Sequence, residues 1–192
     1  SLALDSQNAY AKKGIAWIVF SYENNPKEAL RILDSVTKNH DTPDYYLLKA
    51  EIAEYMNNKK EQLSYLDEYL ISVKNPKYGD MYNAYNINLY LNKIHQLNKA
   101  LELAKREVEN RPTPASYNFL AYSYLKLGEK DKALEIVKNH IEGKTFEPSI
   151  LYCTAEIYKA NGIISKTKEL KEELLSAVYE LGPNMKNKIE SL

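Results

Sequence analysis

The feature that most constrains this chain is a helix-breaking turn that returns at a nearly constant interval. The stretches "NNPKEAL", "NKKEQL", "LNKAL" and "GEKDKAL" place Ala29, Gln62, Ala100 and Ala133 at comparable positions, at intervals of 33, 38 and 33 residues. A fifth, weaker copy puts Thr167 another 34 residues on. Glycine (6) and proline (7) are scarce, and helix formers fill the intervals, so the repeating unit is two short helices and a turn. A period in this range means stacked helix pairs, because one such pair cannot bury its own apolar face.

The clearest copy begins near Pro114. Tyr117, Leu120, Ala121 and Tyr124 lie at helical spacing, Gly128 breaks the helix, and Ala133 and Val137 begin the next apolar stripe. This pattern resembles the tetratricopeptide repeat (TPR): Tyr117 and Tyr124 at the two aromatic positions, Leu120 and Ala121 at the Leu-Gly pair, Ala133 at the small residue of the second helix. The resemblance implies an all-α fold, a right-handed α-solenoid of antiparallel helix pairs. The first (A) and second (B) helices of each pair would cross where Ala121 and Ala133 let the backbones approach.

The other copies are looser. Leu151, Ala155, Tyr158 and Gly162 fit in the fifth, and Tyr46, Ala50, Ala53 and Leu66 in the second. The third offers Ala84, Ile87, Leu91, Ala100 and Ala104, with Asn88 where a small residue is expected; in the first, Trp17 stands at that position, which leaves the register of the first pair open. The expected organisation is a single TPR-like domain over 1–192, with repeats at 6–42, 43–76, 80–113, 114–147 and 148–181. The long interval falls at "SVKNPKYGD", either a longer surface loop or a local change of superhelix angle. A polar capping helix at 183–192 would cover the last apolar face.

Chemistry-bearing motifs are missing. The glycines form neither GxGxxG nor a phosphate-binding GxxxxGK[ST] loop, so no cofactor is expected. His40, His95 and His140 show no HxxxH or HExxH spacing, and the single Cys153 lies in an apolar stripe without a CxxC partner, so neither a metal site nor a catalytic group is expected. The balance of 26 basic and 26 acidic residues gives no global field for nucleic acid, and the longest apolar run, "IAWIVF", is far short of the ~20 residues that span a bilayer. The chain starts at Ser1 without a methionine, so an upstream leader could have been removed, and the compartment stays open between cytoplasm and bacterial periplasm. The Asn-, Lys- and Tyr-rich composition suggests an AT-rich bacterial genome.

In TPR arrays the A helices line the concave surface. Carried over position by position, the residues on that face are Tyr22, Glu51, Tyr55, Tyr82, Tyr85, Lys93, Asn118, Tyr122, Lys126, Tyr152 and Glu156. Several are tyrosines, which offer flat apolar area and a hydroxyl at low entropic cost. The Lys/Asn clamp that some TPR co-chaperones use for a partner's C-terminal carboxylate is absent: its positions read Gly14/Ile18, Leu47/Glu51, Tyr85/Leu89, Asn118/Tyr122 and Tyr152/Glu156. The resemblance therefore implies a non-enzymatic scaffold that binds a protein or peptide segment in its groove. The alternatives are an assembly subunit, or a fragment of a larger repeat protein, packing through a helical face with self-association open. RNA binding is the least favoured.

Overall fold

The computed structural model describes residues 8–40 and 42–192. Among them there is no strand, and the helices come in consecutive antiparallel pairs: α1 (Ala9–Ser21) with α2 (Pro26–Thr37), α3 (Pro43–Tyr55) with α4 (Lys59–Ser72), α5 (Asn83–Leu89) with α6 (Leu97–Asn110), α7 (Pro114–Lys126) with α8 (Lys130–His140), and α9 (Pro148–Ala160) with α10 (Ile164–Ser176). Two short helices follow, α11 (Val178–Leu181) and α12 (Lys186–Glu190), separated by a 3-10 turn at Pro183–Met185. The fifth B helix thus ends at Ser176, earlier than the repeat boundary at 181.

Most of the prolines act as start signals. Pro26, Pro43, Pro114 and Pro148 each occupy the first turn of a helix, where the missing N–H has no helical partner to lose. Asn25, Asn58 and Thr113 cap α2, α4 and α7 by accepting from Glu28 N, Glu61 N and Ser116 N at 3.2, 3.3 and 3.3 Å.

The periodic turn has a single conformational cause. The left-handed residues Asn24 (φ 53), Asn57 (φ 56), His95 (φ 58), Gly128 (φ 85) and Gly162 (φ 74) reverse the chain between A and B helices, each five residues before Ala29, Gln62, Ala100, Ala133 and Thr167. Glycine occupies this region at no steric cost, whereas asparagine and histidine bear some strain there. His95 is exposed, so its side chain has little packing to lose. We expect His95→Gly to raise stability by about 0.5–1 kcal/mol, relief of the left-handed strain exceeding the extra chain entropy of glycine. A urea midpoint that stays put or falls would show the strain to be absent.

The chain forms two compact units. One holds residues up to Tyr78 together with Val178–Asn187; the other holds Gly79–Ala177 with Lys188–Leu192. In the first, Ala16, Val19, Phe20, Ala29, Leu33, Val36, Tyr45, Leu48 and Ile52 form the core. The second has two clusters, one around Ile87, Leu91, Ala100 and Ala104, the other around Ala121, Ala133, Val137, Ile141, Ile150 and Ile157. Ala121 and Ala133 are both fully buried in the latter, with Tyr117 and Tyr124 packed beside them.

Two B helices carry a polar residue where the others carry alanine, and each is satisfied locally. Gln62 accepts from Lys59 Nζ at 3.1 Å, and Thr167 Oγ1 donates to Ile163 O at 3.0 Å. Polarity at the crossing is tolerated because no buried polar atom there is left without a partner.

Candidate functional site

The A helices α5, α7 and α9 neighbour one another in the second unit. Their shared face depends on register, and register is set by the turn that follows each A helix. After α3, α7 and α9 the N–H groups of Asn58, Glu129 and Ile163 bond five residues back, to Ala53, Tyr124 and Tyr158. After α1 the Asn25 N–H reaches six back to Val19, and after α5 the Gln96 N–H reaches six back to Tyr90, where the helix ends in a π turn at Tyr90–Ile94. The first and third A helices therefore hold one extra residue before the turn.

That residue explains both misfits in the sequence pattern. Shifting by one puts the fully buried Ala16 and Ile87 at the crossing position of Ala121, and moves Trp17 and Asn88 to the position of Tyr122. The face positions equivalent to Tyr122 are then Trp17, Glu51, Asn88, Tyr122 and Glu156. Tyr22, Tyr85 and Lys93, carried over without the shift, fall one residue off this line. The sequence signal was present but small: four residues separate Phe20 from Asn24 and Leu91 from His95, against three from Leu125 to Gly128.

The expected face residues differ in placement. Tyr22 is 75% exposed at the end of α1, and Tyr55 packs edge-on against Phe20 with centroids 5.5 Å apart. Tyr82 is buried and lies 5.7 Å from the half-exposed Tyr85 ring; Lys93 is exposed in the π turn. Glu51 is half-buried on α3.

Asn118, Tyr122, Lys126, Tyr152 and Glu156 are brought together, from α7 and α9. Tyr122 Oη donates to Glu156 Oε2, and Lys126 Nζ lies 3.7 Å from the same oxygen and 4.6 Å from the Tyr122 ring centroid. Burial, reinforced by Cys153 and Glu156, drives the Tyr122 phenol far above its ordinary value, and burial with Glu156 does the same to Tyr152. Both phenols stay protonated and act only as hydrogen-bond partners. Burial and then Glu156 push the Cys153 thiol up to about 12, although a hydrogen bond from Asn118 and the charge of Lys126 work the other way. A thiol held this high is not a nucleophile at neutral pH. Asn118 Oδ1 is buried with no hydrogen-bond partner.

Tyr122 is thus mostly covered, while the Lys126 and Glu156 side chains remain 32% and 26% exposed. The cluster presents one ammonium and one carboxylate, pre-oriented by a buried phenol, on the A-helix face. Among the described residues no group of three or more His, Cys, Asp or Glu could hold a metal ion, and no helix is long and apolar enough to cross a membrane.

Consecutive antiparallel pairs, a left-handed turn at a fixed offset from a small B-helix residue, and adjoining A helices define a TPR-like helical repeat fold. The chain is similar to solved structures as well. One is a Podosopora anserina protein named as a kinesin light chain with nearly identical TPR-like repeats: 17% identity over 90% of this chain and 95% of that one, at a TM-score of 0.51. Another is PilW, a widely conserved type IV pilus biogenesis factor: 16% identity over 88% of this chain and 92% of that one, at a TM-score of 0.47. No family model matches the sequence, and no curated protein matches it.

Proposed function

We propose that this chain is a protein-interaction scaffold, and that a protein segment lies across the A-helix face of α5, α7 and α9. The observation that carries this reading is the Tyr122–Glu156–Lys126 cluster. Its ammonium and carboxylate are held in place before any partner arrives, so little side-chain entropy remains to be lost on binding. An extended segment would donate an amide to Glu156 and accept from Lys126, while the half-exposed Tyr85, one helical turn before Asn88, supplies apolar area on α5. Tyr122 serves such a site by orienting Glu156 rather than by touching the partner.

Exposed Asn88, on the register line of Tyr122, is the place to test this. A photo-crosslinking residue there, compared with one at exposed Glu135 of α8, should trap a protein from lysate of the source organism, and only position 88 should do so. Adding Lys126→Ala should cut the yield at least about tenfold, the factor expected for about 1.4 kcal/mol of binding energy. Adducts of equal yield at both positions, or indifference to Lys126→Ala, would move the binding surface elsewhere.

A further inference from the structure

The first unit carries its own A-helix face, on α1 and α3, and a segment from the C-terminal end of the chain lies against it. Gly182 is buried there. A Cβ built on it would stand 2.9 Å from Trp17 Cη2 and 2.8 Å from Glu51 Oε1. Asn184 Nδ2 donates to Glu51 O at 3.0 Å. Trp17 and Glu51 are the two residues of this unit equivalent to Tyr122 and Glu156, so the segment sits on the positions that form the polar cluster in the other unit.

Two properties make this contact selective for glycine. Its φ of 86° and ψ of 156° fall in a region that only glycine occupies without strain, and the space beside it is closed by an indole ring that cannot bend away. Pro183 follows, and the turn is tied by Gly182 N to Val178 O at 2.9 Å and Met185 N to Gly182 O at 3.0 Å. The elements involved, α11 and the 3-10 turn, span four and three residues, too short to persist by themselves. Their order comes from what they dock on.

We propose that the α1–α3 face is a peptide-binding site selective for a Gly-Pro-Asn turn, and that the chain's own Leu181–Met185 segment occupies it in cis. A partner peptide carrying such a turn competes with that segment. The proposal stands on residues other than those of the α5–α9 face, so either can fail without the other.

Trp17 is the only tryptophan in the chain, so all tryptophan emission comes from a residue in contact with this segment. In the full chain, Gly182→Ala should shift Trp17 emission to the red and speed cleavage next to exposed Lys186 at least about tenfold, since proteolysis follows the population of the open form. A synthetic peptide of sequence VYELGPNMKN added to that variant should restore the blue emission with saturation, and the same peptide with alanine for its glycine should not. Unchanged emission in Gly182→Ala would overturn the glycine requirement. Red-shifted emission that the peptide cannot restore would overturn the site, leaving a purely structural end contact. If Gly182→Ala loses helical circular dichroism, Asn184→Ala replaces it with the same readouts: unchanged emission would overturn the docking on Glu51, and red-shifted emission that the peptide cannot restore would overturn the site. An emission shift in the unmodified protein on dilution would assign the segment to a second copy and overturn occupancy in cis.

Discussion

Phe20→Ala should lower the free energy of unfolding by about 3–5 kcal/mol, the range for deleting a fully buried aromatic ring. Phe20 is fully buried, and its ring makes edge contacts with Trp17 at 6.0 Å and Tyr55 at 5.5 Å. Truncation removes the transfer energy of the ring and leaves a cavity between α1 and α3 that two stiff aromatic neighbours cannot collapse to fill. Such edge contacts contribute about 0.5–1.5 kcal/mol beyond area, which Phe20→Leu would forfeit while keeping most of the volume. The variant should therefore fall between wild type and Phe20→Ala. Ile71→Ala is the control: Ile71 is 65% exposed, and its change should stay within about 0.5 kcal/mol. Urea unfolding followed by circular dichroism is the appropriate measurement, because Trp17 emission responds to Phe20 directly. If Phe20→Ala and Ile71→Ala shift the midpoint alike, the core assignment of α1 is wrong.

The paired-helix architecture was legible because its causes are local. A left-handed turn, a proline at a helix start and an alanine at a crossing each leave a mark at one position, and Gly128, Pro114 and Ala133 leave all three within one repeat. The face was harder to read, because one extra residue before a turn rotates every side chain ahead of it by about 100°. In α1 and α5 that residue is accommodated by a hydrogen bond reaching six back, so Trp17, which looked like a poor crossing residue, is a face residue. Sequence also separates core from face poorly for tyrosine. Tyr122 lies on the face line yet is buried, because Glu156 satisfies its hydroxyl from the next A helix. The docking of Gly182 on Trp17 joins positions far apart in sequence and has no local signature at all.

The same register logic yields the second large effect. Once α5 is shifted by one, Asn83 stands at the position of Tyr117, and Glu107 stands seven residues after Ala100, as His140 does after Ala133. Tyr117 and His140 stack with centroids 3.8 Å apart. In the third pair the same two positions hold a buried hydrogen bond, Asn83 Nδ2 to Glu107 Oε1 at 2.9 Å, with Arg111 on the other carboxylate oxygen at 3.0 Å. In the fifth pair they hold Leu151 and Leu174, both buried. Asn83→Leu should cost about 3 kcal/mol, since it leaves one oxygen of a buried carboxylate without its donor. Glu107→Leu should cost about 1–3 kcal/mol for the stranded amide, while the exposed Arg111 returns to water. The double variant copies the fifth pair and should recover most of the loss, giving a coupling energy above about 1 kcal/mol in a double-mutant cycle. Additive losses would mean that Asn83 and Glu107 do not depend on each other, against the buried hydrogen bond that joins them.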